Sequence, residues 1–386
     1  YEGLGFDGNK YQQSRYYYPD GRLKRSVYQK TQQQVVRQYE DSFDQNGKLA
    51  TRVESYGTDP QLTLTYGPDG QLQEKETLQI AAHRSIKESF DSHGKLTGLQ
   101  QNRTDGDYAK DGPQIDTYDD HTTYSSWSNG RQQGEEKTVR DGRVIRYQTY
   151  RDGKENGPGF SIDDDKKQAV FVSYKAGEIS DKIYSVGLDY LSFDSQGMPK
   201  VTLPFHAEKR ELPAPGNVWE YSSDGKHSSV LTLVSSDNQT ATWRVGDSEF
   251  KERLNSYSQI LPTQPATNRQ LLNFPLTLGK TWHTRYQMPV HVNRGNGLSW
   301  QYTYHASADS RITGIAKLTV AGGSFDTVII TRHIHWSKTN PQFSGPGASE
   351  THCQSKECRV SGYTFETLWY APSVGRAVMK AVAING

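Results

Sequence analysis

Four segments in the first hundred residues share one grammar: an aromatic residue, two or three polar residues, glycine, a basic or polar residue, then leucine. They are Tyr18-Pro19-Asp20-Gly21-Arg22-Leu23, Phe43-Asp44-Gln45-Asn46-Gly47-Lys48-Leu49, Tyr66-Gly67-Pro68-Asp69-Gly70-Gln71-Leu72 and Phe90-Asp91-Ser92-His93-Gly94-Lys95-Leu96. Their pivot glycines Gly21, Gly47, Gly70 and Gly94 are spaced by 26, 23 and 24 residues. Looser copies surround Gly142, Gly153 and Gly197. Asp-Gly and Asn-Gly supply the positive φ that tight hairpin turns require. The flanking aromatic and Leu can pack across a strand pair on one face. About 24 residues hold two strands, a tight turn and a looser connection. One hairpin cannot bury its own face, so neighbours must join into a longer sheet. The spacing therefore predicts an elongated antiparallel sheet over roughly residues 10–200.

Composition agrees. The chain has 386 residues and is polar, with 33% hydrophobic residues and a mean hydropathy of -0.85, yet it carries 24 Tyr, 12 Phe and 7 Trp. That aromatic content excludes a disordered chain and suits thin sheets with exposed faces. The formal net charge of +1 gives no whole-chain case for a nucleic-acid partner or an anionic membrane surface. No apolar stretch reaches the roughly 18 residues of a spanning helix. The first residues, Tyr1-Glu2-Gly3-Leu4-Gly5, lack Met and a leader. A signal peptide or lipid-anchor segment is expected ahead of them, and through it the only membrane association.

From about residue 205 the grammar changes. Leu212-Pro213-Ala214-Pro215-Gly216 reads as a domain entrance. Strand-like runs follow at 217–221, 229–235, 240–245, 300–305, 312–320, 327–336 and 366–370, with clear alternation in 316–320 and 328–335. The best helical candidate is a turn or two near Arg269-Gln270-Leu271-Leu272. The expected class is all-β: a domain of repeated β-hairpins at 1–204, then an antiparallel β-sandwich or barrel-like domain at 205–386.

Two resemblances rest on these residues. The aromatic-x-x-Asp/Asn-Gly-Lys/Arg-Leu units resemble the MORN-like repeats of the YwqK-type antitoxin family and, more distantly, YD repeats. The set Pro275-Leu276-Thr277-Leu278-Gly279-Lys280-Thr281-Trp282, Ala321-Gly322-Gly323-Ser324-Phe325-Asp326-Thr327 and Trp369-Tyr370-Ala371-Pro372-Ser373-Val374-Gly375 is similar to a β-rich domain of Gram-negative periplasmic proteins and lipoproteins. Together they look like the periplasmic immunity lipoproteins paired with type VI secreted phospholipase effectors. The resemblance implies a periplasmic inhibitor whose partner is a protein toxin, with a phospholipase effector as the finer expectation. The alternative is an envelope lipoprotein that scaffolds surface-polymer or outer-membrane assembly.

Chemistry is sparse in the sequence. There is no Gly-x-Ser-x-Gly elbow, phosphate-cradling glycine loop or His-Glu-x-x-His helix, so no catalytic residue, cofactor or metal is expected. His333-Ile334-His335 puts two imidazoles on one face of a strand, either as a polar face or as a partial metal site with His291 or His305. Asp163-Asp164-Asp165 lacks the spacing of a calcium loop. Cys353 and Cys358 read as a short disulfide at a hairpin tip, worth about 2 kcal/mol, or as two surface thiols; a disulfide fits an oxidising compartment. Polar stretches at 101–137 and 151–168 read as loops that contact a partner or are simply solvated. Within the second, residues 151–160 are expected to protrude and present Arg151, Lys154, Asn156 and Phe160 to the partner, the competing reading being an ordinary repeat connection with Phe160 returning to the core.

Overall fold

The computed structural model describes residues 2–4, 10–32, 35–57, 60–180, 183–205, 208–223, 228–260, 269–295, 297–345 and 360–385. Cys353 and Cys358 lie outside the described residues. The chain is all-β and divides into two compact units. The first comprises Tyr1–Ile162, Val172–Asp181 and Phe193–Pro199; the second comprises Asp163–Phe171, Lys182–Ser192 and Lys200–Gly386.

The first unit is built from consecutive hairpins. Its main strands are β1 (Lys10–Tyr17), β2 (Leu23–Gln32), β3 (Val35–Phe43), β4 (Leu49–Tyr56), β5 (Gln61–Tyr66), β6 (Leu72–Gln79), β7 (Arg84–Phe90) and β8 (Leu96–Arg103). They continue as β9 (Gly112–Thr117), β10 (Thr122–Ser128), β11 (Gly134–Arg140), β12 (Arg143–Arg151) and β13 (Lys154–Asp163). Each pairs antiparallel with its neighbour in this series.

The repeat motif makes the turns. Gly21, Gly47, Gly70 and Gly94 have φ of 85°, 78°, 83° and 76°. At the second turn Gly47 N donates to Asp44 O at 3.0 Å, and Asp44 N donates to Lys48 O at 2.8 Å. The pairing then slips by one residue between Ser42 and Phe43. This is a type I turn closed by a left-handed glycine in a bulge. Asp44 Oδ1 locks it by accepting from the N–H groups of Asn46 and Lys48, at 2.8 and 2.9 Å. Asp91 does the same for His93 and Lys95, and Asp194 for Gln196 and Met198. Two of the looser copies are a different turn. Asp141-Gly142 and Asp152-Gly153 have positive φ at both residues, 50° and 75°, 53° and 77°, which is the two-residue hairpin of type I′.

No cluster of buried apolar side chains forms along these strands among the described residues; every such cluster lies in the second unit. From β1 to β8 nearly every strand residue is half-buried or exposed on both faces. The sheet is one layer thick there.

Two sheets make up most of the second unit among the described residues. The smaller joins β15 (Val218–Ser222), β16 (Ser228–Ser236), β17 (Thr240–Val245), β18 (Ser248–Arg253) and β19 (Ser258–Ile260) in order. The larger joins β20 (Thr281–Gly295), β21 (Leu298–Val320), β22 (Gly323–Ser344), β23 (Ser361–Ala371) and β24 (Arg376–Asn385). A short strand, β14 (Tyr184–Gly187), pairs parallel with β21 at Gly314 and Ile315. The two strand runs read at 300–305 and 312–320 are parts of one strand of 23 residues. Ala306, Ala308 and Ser310 carry it across the gap, because they alternate inward and are small enough to be buried there. The helical candidate near Arg269 is instead an extended tether. Leu271 and Leu272 both donate their N–H to Ser256 O, at 2.8 and 3.1 Å, and Leu272 is wholly buried. Burial of the pair overrides helical propensity.

The turn glycines separate two costs. A Cβ on Gly47 would meet open space, whereas on Gly197 it would lie 2.3 Å from Gly142 O. We expect Gly47→Ala to cost about 1–2 kcal/mol through φ alone, and Gly197→Ala to cost clearly more because backbone must also move. Chemical denaturation of the two variants measures this; equal losses would contradict the tight contact.

Candidate interaction surfaces

The segment read as a protruding loop is a strand. Residues 154–163 form β13, with Arg151 paired to Lys154 across the two-residue turn. Glycine and proline are accommodated by a bulge. The pairing slips between Gln148 and Tyr150, Gly157 takes φ of 107°, and Thr149 Oγ1 donates to Asn156 O at 2.7 Å. Gly159 leaves room for its neighbour, since a Cβ there would lie 2.1 Å from Gln148 Oε1 and displace that side chain. Phe160 is buried, at 6% exposed, and stacks on Tyr147 with ring centres 5.9 Å apart. Arg151 and Lys154 are exposed at the hairpin tip, and Asn156 is half-buried. The four residues therefore do not form one surface. The polar stretch 101–137 is likewise largely strand, in β9 to β11. Asp163 caps a turn by accepting from Lys166 N at 2.9 Å, with Lys166 Nζ at 3.0 Å.

Side chains on the single-layer sheet interact across strands. Tyr11, Tyr28, Tyr39 and Tyr56 form a row on adjacent strands, with successive ring centres at 6.1, 6.2 and 6.4 Å. Lys30 lies over Tyr11 and Arg37 over Tyr56, 5.4 Å from each ring. Ion pairs cross the strands at Arg52–Asp41, Arg25–Glu40, Lys75–Glu88 and Lys87–Glu74, each at 2.7 Å. Beyond these, Tyr16 and Tyr17 are 50% and 55% exposed.

The large sheet of the second unit has one buried and one exposed face, set by strict alternation along β20 and β22. The exposed face is rich in imidazole. Register brings His283, Asp309, His333 and Phe365 into one rung and Arg285, Ser307, His335 and Tyr363 into the next. His333 packs against Phe365 and His335 against Tyr363, with ring centres 4.7 and 4.9 Å apart. His305 Nε2 lies 2.8 Å from Thr339 Oγ1. Among the described residues no three His, Cys, Asp or Glu side chains converge in a metal-ligating group.

One set copies the connectivity of a hydrolytic triad. Asp309 Oδ1 is 2.7 Å from His283 Nδ1, and Ser307 Oγ is 3.3 Å from His283 Nε2. The surroundings do not suit nucleophilic catalysis. The Asp309 side chain is 78% exposed, where solvent screens its hold on the imidazole. Ser307 lies in a strand paired on both sides, so its N–H serves the ladder instead of an oxyanion hole. The set is suited to hydrogen bonding with a partner.

The opposite face holds buried charge. Arg332 is fully buried and lies 2.5 Å from Glu366, which Lys380 also reaches at 2.8 Å. Glu252 is shared by Arg210 at 2.7 Å and Arg376 at 3.4 Å. Arg376 lies over Trp243 at 4.2 Å and Arg210 over Tyr257 at 4.4 Å. Arg210 Nε also donates to Gly375 O at 2.7 Å, so these cations tether the last strand to the small sheet. Apart from the exposed Lys380, these groups are buried and serve the fold. Burial alone would push the Glu366 carboxyl up, but Arg332, Lys380 and Arg269 outweigh it and hold it below the ordinary glutamate value.

Compared with known proteins, the chain matches no family model, and no curated protein matches it significantly.

Two expectations follow. Phe160→Ala should lower stability by about 3 kcal/mol, while Arg151→Ala and Lys154→Ala leave the melting temperature unchanged; a reversed pattern would restore the protruding loop. A carboxyl lowered on folding stabilises above its unfolded pKa and loses that contribution as pH falls through its folded value. Stability should therefore decline as pH drops below about 4.3, and Glu366→Gln should flatten that part of the profile, at a cost to stability at pH 7. Urea titrations at several pH values check both halves.

Proposed function

We propose that this chain is a binding protein: a periplasmic immunity protein that binds and inhibits a secreted antibacterial toxin, with type VI phospholipase effectors as the toxin class. The supporting observation is the single-layer sheet. Its strands pair into a surface without using either face for a core, and both faces carry Tyr and Arg. Tyrosine and arginine on a rigid backbone are the residue types that anchor protein partners at low entropic cost. The exposed set of His283, Ser307 and Asp309 adds hydrogen-bonding groups but no assembled catalytic site. Short hairpin tips such as Arg151-Asp152-Gly153-Lys154 can enter a partner's cleft and exclude its substrate.

The periplasmic assignment and the lipid anchor rest on the sequence resemblances. The test is protection. Cells expressing the chain in the periplasm should survive a periplasm-directed phospholipase effector encoded beside its gene, and the purified pair should form a stable complex. Tyr16→Ala with Tyr17→Ala should weaken that complex about 30-fold, the equivalent of 2 kcal/mol for a hot spot, with the fold intact by circular dichroism. No protection, together with a stable complex with a resident envelope protein, would replace the immunity reading with envelope scaffolding.

A further inference from the structure

We propose that a cleft along the outer edge of β20, in the second unit, binds a small polyanion carrying phosphate-type groups. The proposal does not depend on the toxin-binding reading, which rests on the first unit's sheet, although His283 figures in both. The cleft has a volume of about 550 Å³, within the range of small-molecule sites and far larger than one ion needs. Its cationic lining comes from Arg253, Arg269 and Arg285, with His283, Asn255 and Ser256 beside them. Among the described residues no carboxylate lines it.

Two of the guanidinium groups are uncommitted. Arg285 forms no ion pair among the described residues. Arg269 forms none either, and its Nε is buried without a hydrogen-bond partner. Arg269 lies over the Tyr286 ring at 5.8 Å, which holds its planar fork in place. It also contributes to the field that lowers Glu366, but Glu366 already has Arg332 at 2.5 Å and Lys380 at 2.8 Å. Asp309 stands beside the lining, held by His283 at 2.7 Å.

The walls are rigid. Ser256 O accepts two backbone N–H groups, and Ser256 Oγ is 2.7 Å from Ser258 Oγ. Gln270 O accepts from Trp282 Nε1 at 3.2 Å, fixing that wall to β20. The floor is polar as well. Thr284 Oγ1 is buried without a hydrogen-bond partner among the described residues. Several guanidinium forks converging without an acid match the spread oxygens of phosphate groups, which they engage bidentately. A soluble di- or triphosphate and a phospholipid headgroup share this chemistry.

Pyrophosphate is the probe. Isothermal titration of the full chain at low salt should show saturable one-to-one binding that weakens as ionic strength rises. Arg285→Gln, on the exposed face, should reduce affinity at least tenfold, as should Arg269→Gln. Arg244→Gln, remote and paired with Glu249, should leave it unchanged. Sedimentation with cardiolipin–phosphatidylglycerol vesicles separates the sources. Capture that Arg285→Gln abolishes and pyrophosphate displaces assigns a lipid headgroup; pyrophosphate binding without capture assigns a soluble ligand. The proposal is overturned if neither probe binds, if folded Arg285→Gln binds pyrophosphate as well as the parent does, or if only an acidic peptide saturates the cleft.

Discussion

Cross-strand pairing carries the first unit, because β1 to β8 have no second layer to bury them. In an ordinary sheet one face is driven together by apolar burial. Here the backbone ladder and its side-chain pairs do that work. Each pair contributes about 0.2–1 kcal/mol, so no single one decides the fold and the total depends on regular repetition. The tyrosine row shows how. Each ring covers its neighbour across the 4.7–4.9 Å strand spacing, and the long stems of Lys30 and Arg37 cover the outer rings while their charges remain in water. Diagonal and direct ion pairs extend the same logic from β2 to β7.

The second unit meets a different demand. Its strands are long and its core is conventional, with Leu272, Ile312, Val328, Ile330 and Tyr370 in one cluster. It nevertheless seals two carboxylates and three arginines inside. Ion pairs of this kind add little net stability against an apolar replacement, yet removing one partner alone is costly. Their effect is directional. Glu252 can satisfy Arg210 and Arg376 together only when β18 and β24 stand in one relation, so the charges specify an arrangement that apolar contacts would leave degenerate.

Much of the first unit was legible in local chemistry. The pivot glycines announced their turns, since positive φ is a property of single residues, and their spacing announced neighbouring hairpins. The turn type was less legible. Asp141-Gly142 and Asn46-Gly47 look alike in sequence, but whether one or two residues take positive φ depends on where pairing resumes. The strand at 154–163 was hidden because Gly157, Pro158 and Gly159 individually disfavour pairing; only the partner strand, through Thr149 and Gln148, shows how a bulge absorbs them. The exposed imidazole face was half visible as His333-Ile334-His335. Bringing His283, Ser307 and Asp309 beside it required the register of three strands. The arginine cleft left no sequence signal, because Arg253, Arg269 and Arg285 belong to separate segments that only tertiary structure brings together.

The uniform glycine-bulge turn has a consequence for how such a chain can change over generations. From β1 to β8 each hairpin pairs with the ones before and after it, so a unit of about 24 residues can be duplicated or lost at the cost of its own two borders. No shared core must be redesigned in step. Length becomes an independent variable, and the area of the sheet can grow or shrink by whole increments. Point changes on the faces then alter the chemistry of that area, while Gly21, Gly47, Gly70 and Gly94 keep the geometry of the increments constant.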